Sequence, residues 1–376
     1  MRLRLAGIST FLMMLWMAER PFPQISSTRT FNPSEIQVRM SADVDIVYHV
    51  LAHFDVPGDP ANLYSQEYMN QIRQAKVDLE TEPTLLDQNR LQMETAYRQN
   101  PGLRFLNLAL FVADDYSTFK QALIRINDQP PPEQPAEVRE TLEERKVRES
   151  RSGLVFGNAR RLVPLFQRRF PEPAERQFIQ LFAQCMDTEY TQFYRVYRET
   201  RMELDQQGFE TFMKYWKSDG FDILKPWAAQ SGVNLLTIYL SPVFKNNGRG
   251  IPVTEDQQIK LNIVAPLPEK REQAVLSLLI ILHETSHRLT DEIAEASLPG
   301  RVTDLNRMRE NAVFSANHLY LKSRFPGLLP GYLKFFLNLP ADRQVELNLL
   351  EDQFRKSYPV SSDVQVRLEQ LVKGLK

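Results

Sequence analysis

Apolar residues recur every three to four positions through most of this chain, and the stretches where they alternate or run together are short. "EIQVRM" (35–40) alternates as a half-buried strand does, and "SADVDIVYHVLAHF" (41–54) follows with a Ser41 cap and helical periodicity. Helical spacing continues over roughly 64–80 and 84–99, then through "LRFLNLALFVA" and "DYSTFKQALIRI". Consecutive prolines in "NDQPPPEQPAE" (127–137) forbid helix, and beyond them the spacing predicts helices over 137–150, 153–169, 173–204 and 207–217. At Val233 the period changes. "VNLLTIYLSPVF" and "QQIKLNIVAPL" are rich in branched and aromatic residues, and "KNNGRGIPVTED" between them has turn chemistry, so a β-hairpin or small sheet is expected there. Two long helices follow, "EKREQAVLSLLIILHETSHRLTDEIAEAS" stopping before Pro299 and "RVTDLNRMRENAVFSANHLYLKSRF" stopping before Pro326, and further helices end the chain. The expected fold class is α+β, predominantly helical, with a small β-sheet just ahead of the first long helix.

The punctuation of this pattern divides the chain into three regions. Residues 1–25 begin "MRLRLAGISTFLMMLWMA", two arginines and then an apolar run, which is the layout of a secretory signal. Only Ala18 fits the small-residue cleavage rule, so a cleaved signal peptide and an uncleaved signal anchor that tethers the chain to a membrane both stay open. Either places the protein in the secreted, periplasmic or cell-envelope space. The later apolar run "AVLSLLIIL" (274–282) is far too short to span a bilayer. Residues 26–130 form a mainly helical N-terminal region, and 131–376 hold the strands, the long helices and the C-terminal helices.

Composition changes this picture little. With 376 residues, 43% hydrophobic and 25% charged, the chain can bury a sizeable core. A net charge of -1 supplies no global field for nucleic acid, and the one arginine-rich run, with Arg160, Arg161, Arg168 and Arg169, reads as a solvated helix face. The single cysteine, Cys185, excludes intramolecular disulfides and lies at helical spacing among aromatics, as a buried inert thiol.

The chemistry concentrates in "LIILHETSHRL" (279–289). His283 and His287, four apart on a helix, leave the same face and can share one metal ion, while Glu284, about 100° round, can reach water beside it without ligating. Two imidazoles suit zinc, which acidifies a coordinated water, and the adjacent carboxylate is placed to take the proton. With five histidines in the chain, chance would produce this spacing in roughly one such sequence in two hundred. The flanking residues are apolar, and buried histidines need partners.

This motif on a long helix preceded by strands resembles the zincin metallopeptidases, and a downstream glutamate on a second helix is similar to the gluzincin branch, in which that glutamate is the third zinc ligand. The resemblance spans about 233–325 and rests on the five-residue motif and one glutamate. In general layout the chain also resembles an uncharacterised family of exported bacterial predicted metallopeptidases. The resemblance implies one zinc ion, His283, His287 and Glu310 as ligands, Glu284 as general base, and hydrolysis of a peptide or protein substrate. The residues themselves favour Glu310 as well: Glu295 stands about 12 Å along the axis from His287, Glu292 is on the wrong turn, and Asp304 is a poorer length match. Glu310, 23 residues after His287, leaves room for the helix to end, turn and return. A solvated glutamate remains its alternative reading. Where the family often has an acidic residue four positions later, this chain has Phe314, so no residue is identified as backing the histidines.

His318, Tyr320 and Tyr239 are chemically able to donate to an oxyanion, although packing is the favoured reading of each, and by analogy "TIYLSPVF" is the strand expected to pair with substrate. His49 and His53 repeat the four-residue spacing without a glutamate and read as a structural or partly exposed pair rather than a second metal site. The competing function is a catalytically silent zincin-fold binding or scaffold protein of the cell envelope; the intact Glu284 argues against it, since binding alone needs no base.

Overall fold

The structure, a computed structural model, describes residues 35–54, 63–113, 115–128, 154–155, 159–255, 258–296 and 302–375. The expected signal or anchor (1–25), the helix at 137–150 and most of the proline-rich break lie outside the described residues. Strand β1 (Ile36–Arg39) leads into α1 (Ala42–Ala52), which Ser41 caps by accepting from the Val44 N–H, as the sequence predicts. Helices α2 (Gln66–Asp78) and α3 (Leu85–Gln99) follow, the latter opened by a reciprocal Thr84–Asp87 capping box. Short helical turns over 101–112 lead to α4 (Tyr116–Ile124), and beyond it come β2 (Leu154–Val155), α5 (Ala159–Arg169) and α6 (Pro173–Glu189).

From 173 to 230 the chain stays helical. Wider π turns at Tyr190–Tyr194 and Trp216–Gly220 join α6 to α7 (Arg195–Tyr215) and α7 to α8 (Phe221–Gln230), where the sequence pattern predicts a break near 205. Gly208 inside α7 answers to tertiary contact: a Cβ there would stand 2.5 Å from the Pro268 carbonyl oxygen.

Strands β3 (Leu235–Ser241), β4 (Arg249–Glu255) and β5 (Gln258–Pro266) complete a sheet in the order β1-β3-β5-β4-β2. The expected hairpin is corrected in its membership: β3 and β5 are parallel neighbours, and the segment read as a turn is β4, paired antiparallel with β5. Its glycines and proline mimic turn chemistry. Pro252 is tolerated because β4 pairs on its far side with β2 only at Val253 and Thr254.

Both faces of the sheet are covered, and side chains alternate between two cores. Leu236, Ile238 and Leu240 of β3 and Leu261, Ile263 and Ala265 of β5 enter one core; Tyr239 and Val264 enter the other. The first core is built from α1 to α6. The second holds the C-terminal part of α7, then α8, α9 (Arg271–Ala296), α10 (Val302–Arg324), α11 (Leu329–Phe336), α12 (Leu347–Ser357) and α13 (Ser362–Gly374). Residues 44–126 therefore share a core with 162–197, and packing does not follow the sequence division near 130. The molecule is α+β and predominantly helical, with its sheet just ahead of α9.

Candidate metal centre

Helix α9 buries Leu278 to Leu282 in the second core, and its HETSH turn emerges at a cleft of about 1060 Å³. His283 is 5% exposed, with its ring held between Phe314 and Phe336 at centroid distances of 4.9 and 5.4 Å. His287 lies one turn on and donates from Nδ1 to Asp291 Oδ1 at 3.0 Å, which turns Nε2 toward the cleft. From α10, Glu310 brings Oε2 to 3.2 Å from His283 Nε2 and Oε1 to 3.7 Å from His287 Nε2, and the two Nε2 atoms are 3.3 Å apart. Ligands about 2.0–2.1 Å from a tetrahedral zinc are separated by about 3.4 Å. The Nε2–Nε2 separation is close to that spacing, and each imidazole faces one oxygen of the Glu310 carboxylate, so two imidazoles and a carboxylate converge as a donor set suited to zinc.

The charges of this cluster act strongly on one another. Burial alone would lower the His287 pKa, but the Asp291 hydrogen bond and the charges of Asp291, Glu310 and Glu284 raise it to about 9. Burial likewise works to raise that of Glu310, and the hydrogen bond and charge of His283, with His287 and Arg249, bring it down to about 2.

Glu284 stands beside this cluster without joining it. Its Oε2 accepts from the Gly250 N–H of β4 at 2.7 Å, and a Cβ on Gly250 would lie 3.1 Å from the Glu284 carbonyl oxygen and from Oε2. "GRG" (248–250) therefore admits strand backbone against the HETSH turn.

The structure brings together His283, Glu284, His287 and Glu310 and separates them from the other candidates. Glu292 and Glu295 line the cleft further along α9, and Glu295 is paired with Arg309. Tyr239 faces the first core with the Arg39 guanidinium 4.6 Å from its ring, Tyr320 donates to the Ile223 carbonyl at 3.0 Å, and His318 donates to Glu351 at 2.8 Å. None of the three lines the cleft. Strand β3, flanked by β1 and β5, has no free edge; among the described residues Arg249 to Pro252 of β4 has no partner strand on its far side, where Glu284 takes the Gly250 N–H and Pro252 has none. The sequence reading missed Asp291, Arg249 and the wall formed by Arg104, Asn107 and Leu108. Asp291 carried a signal, its four-residue spacing from His287; the others reach the cleft through tertiary contact alone.

No family model, curated protein or solved structure matches this chain. The candidate metal site therefore rests on its own residues.

A second group, His49, His53 and Glu189, also places donor atoms within 4.8 Å of one another. It is a closed hydrogen-bond network. Glu189 receives Lys76 Nζ at 2.9 Å, Thr84 Oγ1 at 2.5 Å and His49 Nε2 at 3.0 Å, while Tyr68 Oη lies 2.7 Å from His49 Nδ1. Burial, outweighing the pull of Glu189, keeps His49 neutral, and Lys76 occupies the place of a cation. These contacts account for His49 without a metal ion. Cys185 is buried, its pKa pushed up to about 12 by burial, and Arg169 lies over the Phe105 ring at 4.9 Å; the side chains of Arg160 and Arg161 lie outside the described residues.

Proposed function

We propose that the protein is a zinc metallopeptidase that hydrolyses peptide bonds, with His283, His287 and Glu310 holding one zinc ion and Glu284 acting as general base. The observation that carries this reading is the convergence of two imidazole Nε2 atoms 3.3 Å apart and the Glu310 carboxylate within 3.7 Å of both, beside a Glu284 carboxylate held on Gly250 and outside the ligand set. A bound zinc supplies Lewis acidity and lowers the pKa of a coordinated water toward 7.

The chain's own residues do the rest. Gly250 N–H fixes Glu284 through Oε2, leaving the second carboxylate oxygen to take a proton from water and return it to the leaving amine. Asp291 holds His287 in the tautomer whose Nε2 can ligate. Arg249, at the cleft end of β4 and close enough to lower the pKa of Glu310, is the cation suited to stabilise negative charge developing on the scissile carbonyl. An extended peptide beside Arg249 to Pro252 would present that carbonyl to the metal centre. Export to the cell envelope, proposed from residues 1–18, fits a peptidase acting outside the cytoplasm.

Purified protein should carry about one zinc per chain, and Glu284→Gln should lose hydrolysis by about 10²- to 10⁴-fold while keeping its zinc. Full-rate hydrolysis by Glu284→Gln, or a wild-type protein that takes up no zinc, sinks the reading.

A further inference from the structure

The charged side chains lining the cleft are almost all engaged. Glu284 accepts from Gly250, Asp291 from His287, Glu295 from Arg309, and Glu310 from His283; Arg288 Nε donates to the Ser231 carbonyl at 2.9 Å and feels the charge of Glu292; Arg249 acts on Glu310. Among the cationic side chains Arg104 is the exception. It lines the same cleft from the 101–112 wall, its Nε is buried without a hydrogen-bond partner, and no ion pair engages its guanidinium among the described residues.

Its backbone is held firmly. Leu103, Phe105 and Leu106 on either side are buried in the first core, and the Arg104 carbonyl accepts from Asn107 Nδ2 at 3.0 Å. The same wall approaches the reacting side of the cleft, because Asn107 accepts through its carbonyl from Tyr48 Oη at 2.6 Å, and Tyr48 feels the charges of Arg249 and Glu284. A positioned guanidinium, desolvated at Nε and without a carboxylate, costs free energy that a ligand anion can recover. Its planar fork matches a carboxylate with two parallel hydrogen bonds.

We infer that Arg104 is a specificity-determining residue, which recognises a carboxylate of the bound peptide, either an acidic side chain or a free C-terminus. This rests on the peptidase reading for its setting, but binding tests it without turnover. In the zinc-loaded Glu284→Gln protein, fluorescein-labelled peptides are compared in two matched pairs: one pair differs by Glu against Gln at an internal position, scanned along the peptide, and the other by a C-terminal carboxylate against an amide. One pair should show about 10- to 100-fold tighter binding of the carboxylate form, and the pair that does so identifies the source. Adding Arg104→Gln should remove that difference while zinc content and affinity for the neutral peptide stay unchanged, and Arg104→Glu, with zinc content as its check of folding, should reverse it in favour of a lysine-containing peptide. The inference is overturned if neither pair shows a carboxylate preference, if the preference survives Arg104→Gln, or if that change weakens charged and neutral peptides equally. Failure of the peptidase reading looks different: wild-type protein would cleave none of these peptides, yet the Arg104-dependent preference would persist.

Discussion

His283 and His287 are the same residue type one helical turn apart, yet they sit in opposite surroundings. His287 is backed by Asp291 at 3.0 Å, whereas His283 lies between Phe314 and Phe336 with its Nδ1 buried and unpartnered among the described residues. A carboxylate behind a ligating imidazole fixes its orientation and strengthens it as a donor, so this site depends on Asp291 alone for that support. Asp291→Asn should weaken zinc binding by about 10- to 100-fold, read by competition with a chromogenic chelator; an unchanged affinity would show that Asp291 does not orient His287. The motif itself was legible because four-residue spacing on a helix is a local property. The aromatic surroundings of His283 were not, since Phe336 arrives from a helix 53 positions away in the chain.

At the scale of elements, the site depends on how closely β4 meets α9. The Gly250 N–H holds Glu284 in place, and the absence of a side chain at 250 is what allows the contact. Gly250→Ala would press a methyl group to 3.1 Å from two Glu284 oxygens, so the strand or the carboxylate must shift by a few tenths of an ångström. Because small displacements of a reacting group carry large kinetic penalties, hydrolysis should fall by about 10- to 100-fold, with a loss of stability of only about 1 kcal/mol in urea titration. Retained activity would mean that the Gly250 contact does not position the base. The glycines that read as a turn were evidence of a close approach, a distinction that periodicity cannot draw.

For the whole molecule, two cores share one sheet, and the cleft lies where the N-terminal wall meets β4 and α9. Asp45 of α1 is buried 3.7 Å from Arg198 of α7 and close to Ser241 of β3. Burial raises its pKa from 3.8 to about 7, against the opposing pull of Arg198 and the Ser241 hydroxyl. Between about pH 4 and 7 the folded chain keeps a proton on Asp45 that the unfolded chain has released, so this residue's contribution to stability falls as pH rises through that window and levels off above it. Asp45→Asn mimics the protonated form. Its urea stability relative to wild type should rise from pH 5 to pH 8 by about 2–4 kcal/mol, whereas a pH-independent difference would place the ordinary carboxylate pKa in the folded state.

Taken alone, the amino-acid order determined what local spacing can encode: helix as the dominant element, the Ser41 cap, the buried character of α9 and the shared face of His283 and His287. Each follows from residues within a few positions of one another, where helix geometry alone brings side chains together. That Glu310 comes to lie beside both histidines follows from one helix, one turn and one return, which leave few other placements. Tertiary structure decided the rest: that β4 rather than β3 borders the cleft, that Asn107 and Arg104 form its far wall, that Glu189 closes around His49, and that one core reaches across the proline-rich break. These contacts join residues tens to more than a hundred positions apart, and nothing in local periodicity ranks one such pairing above another; only the requirement to bury both faces of the sheet at once selects them.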